Sequence, residues 1–161
     1  MVDDWETDQS TGPGAAFRTR GSPRGAQNGQ AMNKARPLVV FTEVAEGEML
    51  PTLTICASAE DVARYGRAVG SDFRGDSISP TLLLAFAMAE MTAVMPLPPS
   101  TLHVGQELTL KRGVRVDEQL EAQFVLRDRR QSAGIILHRF DLTIVANKAI
   151  VAEGRIALQT G

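Results

Sequence analysis

The chain has 161 residues, of which 43% are hydrophobic and 22% charged, values typical of a single globular domain. A formal net charge of -2 argues against nucleic-acid binding, which needs several cationic side chains on one face. No run of about 20 apolar residues indicates a membrane helix. A single cysteine, Cys56, excludes an internal disulfide and favours a reducing compartment, so we expect a cytoplasmic protein. Because no basic residue adjoins Cys56, we expect a buried, unreactive thiol.

Residues 1–36 differ in composition from the rest of the chain. They are rich in Gly, Ser, Thr, Arg, Gln and Pro and show neither helical nor strand periodicity. Such a segment buries too little apolar surface to offset its ordering entropy. We therefore predict a disordered tail over 1–36 and a folded domain over 37–161, which opens with a short segment at 37–42 and a strand at 52–56.

Two helices follow the opening strand. The segment Ser58 to Asp61 resembles a capping box, and Gly70 supplies a stop, so the first helix lies between them. Its predicted apolar face holds Val62, Tyr65 and Val69.

The second helix is longer and carries its own boundary signals. Ser79 is a suitable N-cap and Pro80 suits the first helical position, whereas Met95 precedes Pro96, where a helix should stop. The residues between are apolar nearly all round. We therefore expect protein to surround this helix on most sides.

The rest of the chain alternates between apolar and polar residues, which predicts three or four long antiparallel strands with one covered face. Turns are predicted at 128–132 and 147–148. One sheet wrapped around one long helix is the economical α+β packing of these elements. The positions assigned to covered faces are Val104, Leu108 and Leu110; Leu120, Ala122, Phe124 and Leu126; Ile136, His138, Phe140, Leu142 and Ile144; and Ile150, Ala152, Ile156 and Leu158.

Both the element order and the local sequence resemble the hot-dog fold of the MaoC-like and FAS1-type dehydratase family, which includes R-specific enoyl-CoA hydratases. FTEVAEGEMLPTLTICASAEDVARYGRAVGSDF is similar to the opening of those domains, where a short helix carries Tyr-Ala-x-Ala-x-Gly-Asp; here Tyr65 begins and Asp72 ends that phrase. HVGQELTLKRGVRVDEQLEAQFVLRDRR is similar to the family's first two long strands and the turn between them. The resemblance covers about residues 41–158.

The resemblance implies a substrate and a reaction. Family members add water to an enoyl thioester or remove it from a 3-hydroxyacyl thioester, and coenzyme A or acyl carrier protein carries the acyl group. An Asp/His pair from the motif Gly-Asp-x-Asn-Pro-x-His handles the water and the proton. The N-terminus of the long helix lies beside the thioester oxygen, where amides and the helix dipole favour negative charge. No metal or other cofactor is implied.

This chain departs from the motif at its most important position. Asp72 matches the aspartate, but Ser77 stands five residues later, where the histidine is expected. A serine hydroxyl cannot replace an imidazole as a base near pH 7. Asp72 with Asp76 is interpreted as part of a solvated turn rather than as a carboxylate pair. The candidate substrate-binding residues are Tyr65, Arg74, Pro80 and Thr81; Arg74 is a candidate contact for a coenzyme A phosphate, and Tyr65 is also explained as a packed helix residue.

The chain has two histidines, and neither occupies the motif. His138 lies on an apolar parity and is expected to be a core histidine bonded to a neighbour. His103 lies on the parity opposite the apolar residues and is expected at the surface. Glu90 is a third polar residue of interest, because hot-dog thioesterases often carry a catalytic carboxylate on the central helix and burial of an unpaired carboxylate is costly.

Four functions remain open. The first is a catalytically degenerate subunit that binds acyl thioesters and pairs, sheet edge to sheet edge, with an active hot-dog chain; family members form homodimers or heterodimers in this way. The second is a hydratase or dehydratase with relocated groups, such as Asp72 with Ser77 and a water. The third is a thioesterase that uses Glu90. The fourth is a non-enzymatic sensor of acyl thioesters.

Overall fold

The computed structural model describes residues 38–70 and 76–161, so the tail predicted for 1–36 lies outside the described residues. Within these ranges no helix is long and apolar enough to cross a membrane. The predicted order of a short strand, two helices and long strands is confirmed. A 3-10 helix at Phe41–Glu43 is followed by β1 (Leu53–Ile55), α1 (Ala59–Ala68), α2 (Pro80–Val94), β2 (Leu102–Leu110), β3 (Leu120–Ser132), β4 (Ile135–Ala146) and β5 (Ala149–Thr160).

The five strands form one antiparallel sheet in the order β1-β3-β4-β5-β2. The helix α2 packs against one face of this sheet, and the core lies between them. From the helix, Leu83, Ala87 and Met91 are buried, and from the sheet Phe124 and Phe140 are buried in the same cluster. This is the predicted α+β architecture, a sheet wrapped around one long helix.

The predicted boundaries of α2 are confirmed at both ends. Ser79 is the N-cap, and its Oγ accepts a hydrogen bond from the backbone N–H of Leu82 at 3.2 Å. Pro80 occupies the first helical position, where a missing N–H costs nothing. Met95 is the C-cap, and its N–H donates to the Met91 carbonyl at 2.8 Å.

Protein surrounds α2 on most sides, as predicted, but one side of the helix stays open in the single chain. Thr81, Ala85, Ala89 and Ala93 are exposed, and their four-residue spacing places them along one side of the helix. Hydrophobicity alone cannot distinguish a helix face that meets its own sheet from one that stays open. The small size of these side chains leaves a groove along this side of α2.

The capping box of α1 is confirmed. The Ser58 Oγ accepts from the Asp61 N–H at 3.2 Å, and the Asp61 carboxylate accepts from the Ser58 N–H at 3.1 Å. The hydrogen bonds from the Ser58 hydroxyl and backbone hold the pKa of Asp61 below its usual value, and the charge of Arg64 adds to the effect.

The predicted apolar face of α1 is only partly correct. Val62 is buried and Tyr65 is partly buried, but Val69 is 50% exposed. The helix ends at Ala68, so Val69 is its C-cap and no longer follows the helical spacing.

One of the two predicted turns is wrong. Residues 128–132 belong to β3, and the turn lies at Ala133 and Gly134, whose φ angles are 50° and 80°. The strand accommodates these polar residues through specific contacts. The Asp128 carboxylate accepts hydrogen bonds from Arg139 of β4 at 2.8 and 2.6 Å, and Arg129 donates to the Val44 carbonyl at 3.0 Å. The turn predicted at 147–148 is confirmed, with φ angles of 49° and 66°.

Two further predictions of buried side chains are wrong. In β5 a bulge at Val151 shifts the register against β4, so Val151 is fully buried whereas Ile150, predicted on the covered face, is 48% exposed. Cys56, expected to be buried, is exposed. It follows β1 at the parity of the exposed Thr54, between the buried Ile55 and Ala57.

Candidate functional site

A strand-like contact holds Ser77 directly before α2. The Ile78 N–H donates to the Val114 carbonyl at 2.8 Å, and the Val116 N–H donates to the Asp76 carbonyl at 2.9 Å. Between these two bonds Ser77 lies opposite Arg115 in an isolated antiparallel bridge. The loop between β2 and β3 therefore fixes the position of Ser77, the residue that we predict to occupy the histidine position of the family motif.

The structure brings Ser77, Pro80 and Thr81 together at the start of α2, and all three are exposed. Because Pro80 has no N–H, Thr81 supplies the first backbone donor of the helix. The positive end of the helix dipole lies at this point, so the arrangement is suited to stabilising negative charge on a carbonyl oxygen. The other two candidates from this segment, Asp72 and Arg74, lie outside the described residues.

Arg115 is a residue at this site that sequence reasoning did not identify. It is exposed, and its backbone N–H donates to the Glu118 carboxylate at 3.0 Å. Arg112 donates to the same carboxylate, and the hydrogen bonds from Arg112 and then Arg115 lower the pKa of Glu118. The family resemblance marked this segment as a turn, but nothing in the sequence indicates that it pairs with Ser77.

Tyr65 lies on α1, and Glu90 lies in the second half of α2. Tyr65 packs, partly buried, against the hydrophobic core. Glu90 is partly exposed and follows Thr81 by nine residues, about two and a half helical turns. It therefore projects from a different side of α2 than Thr81 does. This position does not favour the thioesterase use of Glu90 at the helix start.

His138 is the core histidine that the sequence predicts. It is 3% exposed, and its ring lies 4.5 Å from the ring of Phe41. Its Nδ1 accepts a hydrogen bond from Arg129 Nε at 3.3 Å, and its Nε2 lies 3.0 Å from the Thr160 hydroxyl. Burial, with the Arg129 charge, lowers the pKa of His138 and so favours the neutral imidazole.

His103 is exposed, as predicted, but it lies on the face of β2 opposite to the one that strand alternation predicts. A bulge at Val104 shifts the register of β2 against β5, so that His103 lies opposite Leu158 and Gln106 opposite Ile156. Leu158 and Ile156 are buried in the core. His103 and Gln106 therefore lie on the helix-facing side of the sheet, whereas Val104, predicted on that side, is 47% exposed.

This bulge makes His103 part of a groove between α2 and β2. The groove has a volume of about 410 Å³ and is open on one side. On β2 it is lined by His103 and Gln106, and on α2 by Thr81, Leu84, Ala85, Met88, Ala89 and Thr92. His103 is its one ionisable lining residue within the described part of the chain. We call this feature the α2–β2 groove.

No cluster of His, Cys, Asp or Glu that could hold a metal occurs among residues 38–70 and 76–161. The described site offers a helix N-terminus, hydroxyl groups, Arg115 and one groove-lining imidazole.

The chain matches no protein-family model and no curated protein sequence. Solved structures with similar folds include an R-hydratase from Pseudomonas aeruginosa, with 15% identity and a TM-score of 0.59 over 74% of this chain and 88% of that one. A MaoC-like dehydratase from Rhodospirillum rubrum shows 14% identity and a TM-score of 0.60 over 76% and 96%. The HadBC (3R-hydroxyacyl-ACP dehydratase) complex from Mycobacterium tuberculosis shows 13% identity and a TM-score of 0.55 over 72% and 98%.

At these identities the shared property is the fold. The strand order, the single long helix against one face of the sheet and the similarity to these dehydratases and hydratases agree with one another. The chain has the hot-dog fold, in the form that MaoC-like dehydratases and R-hydratases also adopt.

Proposed function

We propose that this chain binds acyl thioesters of coenzyme A or acyl carrier protein as one subunit of a two-chain hot-dog assembly of the hydratase/dehydratase type. The observation that carries the proposal is the α2–β2 groove. Apolar, small side chains line it, and it runs beside β2, which is an edge of the described sheet. The groove suits an acyl chain, and the neighbouring sheet edge suits a second hot-dog subunit.

The start of α2 is the proposed position of the thioester. The Thr81 N–H and the helix dipole stabilise the negative charge that develops on the thioester oxygen during hydration or dehydration. Ser77 lies at this end of α2, but its hydroxyl cannot act as the proton-transferring base that an imidazole would be. The chain therefore provides the oxygen-binding helix and the acyl groove, and its partner provides the proton-transferring group.

The HadBC dehydratase, one of the proteins of similar fold, is a complex, which supports the pairing of two chains of this fold. No resident cofactor or metal enters the proposal, because the carrier belongs to the substrate. The single cysteine agrees with a reducing, cytoplasmic location for such a subunit.

Binding to dodecanoyl-CoA, measured by isothermal titration calorimetry, tests the proposal. Ala85→Trp fills the groove and should weaken binding at least about ten-fold, since a bulky ring occupies the space of the acyl chain. Glu121→Trp, on an exposed site of β3, is the matched control and should bind as the wild type does. Equal affinity for wild type and Ala85→Trp, or no binding by the wild type, contradicts the proposal.

A further inference from the structure

Three polar side chains lie together at one end of the α2–β2 groove. Thr92 comes from the last turn of α2, and His103 and Gln106 come from β2. The bulge in β2 places these two residues opposite Leu158 and Ile156 of β5. Because Leu158 and Ile156 are two residues apart on their strand, the backbones of His103 and Gln106 lie about 7 Å apart on one face of the sheet. Their side chains can therefore contact a common small group. We call this part of the cavity the polar end of the groove.

The polar end is the end of the groove that is farther from the start of α2. The end of β2 leads within a few residues to Val114, whose carbonyl accepts from the N–H of Ile78 just before α2. The start of β2 follows the end of α2 after a short connection. The two elements therefore run antiparallel, and His103 lies near the end of α2.

The opposite end of the groove is formed by Thr81, at the proposed position of the thioester. Thr81 and Thr92 are eleven residues apart, which corresponds to about 16 Å along the helix. An extended carbon chain advances about 1.3 Å per bond, so about twelve carbons separate a thioester at Thr81 from the polar end. The α2 side chains that line the groove between these two threonines are all apolar, namely Leu84, Ala85, Met88 and Ala89.

The polar end offers two hydrogen-bond acceptors and one amide. The Thr92 hydroxyl donates to the Ala89 carbonyl at 3.0 Å, so its oxygen is left to accept. His103 Nε2 lies 3.1 Å from the Gly105 carbonyl, which can only accept. Nε2 therefore carries the hydrogen, and Nδ1 of the neutral ring accepts. Within the described part of the chain the Gln106 amide has no hydrogen-bond partner, so it can both donate and accept.

A hydroxyl group matches this arrangement better than a methyl or a carboxylate group does. Its hydrogen can go to the Thr92 oxygen or to His103 Nδ1, and its oxygen can accept from the Gln106 amide. A methyl end would remove water from these groups without replacing their hydrogen bonds. A carboxylate has lone pairs only, so it would meet two acceptors.

We propose that the preferred acyl chain carries a hydroxyl group about twelve carbons from its thioester, and that Thr92, His103 and Gln106 recognise this group. This preference rests on the proposed function, because it specifies the acyl chain that the groove binds. A groove that binds plain alkyl chains does not require the preference, so the two claims can fail separately.

Isothermal titration calorimetry with acyl-CoA ligands of equal chain length tests the preference. The wild type should bind ω-hydroxydodecanoyl-CoA at least about five-fold more tightly than dodecanoyl-CoA, since only the former gives hydrogen bonds at the polar end. The isomer 6-hydroxydodecanoyl-CoA should bind more weakly than dodecanoyl-CoA, because its hydroxyl lies beside Ala85 and Met88. Dodecanedioyl-CoA, whose chain ends in a carboxylate, should bind more weakly than the ω-hydroxy chain.

Substitutions at the polar end should remove the advantage of the ω-hydroxyl group. Gln106→Leu removes the amide donor and should make the affinities for ω-hydroxydodecanoyl-CoA and dodecanoyl-CoA nearly equal. Thr92→Val keeps the shape of the side chain and should reduce the advantage. Gln123→Leu is the matched control, because Gln123 lies between the fully buried Ala122 and Phe124 and therefore on the outer face of β3. This control should retain the full advantage.

The outcomes separate this preference from the proposed function. Equal affinity of the wild type for dodecanoyl-CoA and its ω-hydroxy form rejects the preference, and so does an advantage that survives in both Gln106→Leu and Thr92→Val. Tightest binding of the dicarboxylic chain rejects it as well, since that result requires a cation at the polar end. In each of these cases, binding of dodecanoyl-CoA that Ala85→Trp weakens leaves the proposed function standing. A chain that binds no acyl thioester rejects both.

Discussion

The two histidines lie in different environments and are therefore suited to different roles. His138 is enclosed by Phe41, Arg129 and Thr160 and fixes one end of the sheet, whereas His103 lies on an open groove. The sequence predicts the role of His138 because its strand alternates regularly around that position. It does not predict the face of β2 on which His103 lies, because the neighbouring bulge cannot be recognised from a single sequence.

Stability should fall at mildly acidic pH because of His138. Burial and Arg129 lower its pKa in the folded state, so the unfolded chain binds a proton first as the pH falls below about 6.5. The contribution of His138 is fully present above that pH and is lost below it. Urea unfolding measures the free energy of unfolding at pH 7 and at pH 5. Its decrease between the two pH values should be smaller for His138→Gln than for the wild type. His103→Gln is the control and should show the same decrease in the free energy of unfolding as the wild type. An equal decrease in His138→Gln would show that His138 does not cause the pH dependence.

The capping box of α1 should contribute measurably to stability. Ser58→Ala removes the hydroxyl that accepts from the Asp61 N–H, and the free energy of unfolding should fall by about 1 kcal/mol. Ser132→Ala, at the exposed end of β3, is the matched control and should change stability by less than about 0.5 kcal/mol. Chemical denaturation of both variants checks this, and equal effects would argue against the cap.

At the scale of the elements, the sequence predicts regular segments well and fails where the register shifts. The caps at Ser58 and Ser79 depend on local hydrogen bonds, so they can be predicted from the sequence without the tertiary structure. Strand faces follow from alternation until a bulge adds one residue and reverses the parity, as at Val104 and Val151. Long-range backbone pairing, such as Ser77 with Arg115, leaves no periodic signal at all.

The bulge in β5 gives a direct test of this register. Val151→Ala removes buried methyl groups from a fully buried side chain, so the free energy of unfolding should fall by about 2 kcal/mol. Ile150→Ala, one residue earlier and 48% exposed, should have a much smaller effect, although it removes more atoms. The two values are measured by the same denaturation experiment. The reverse ranking would place Ile150 in the core, as simple alternation predicts.

At the scale of the whole molecule, the two edges of the described sheet are unequal. β1 has three residues and β2 has nine. A strand of three residues offers few backbone groups to an incoming chain, so the long edge is the better template for growth. In the two-chain assembly that we propose, pairing along β2 would leave a short strand at each end of the combined sheet. The shortness of β1 would then act against the addition of further chains and guard a concentrated solution against fibres.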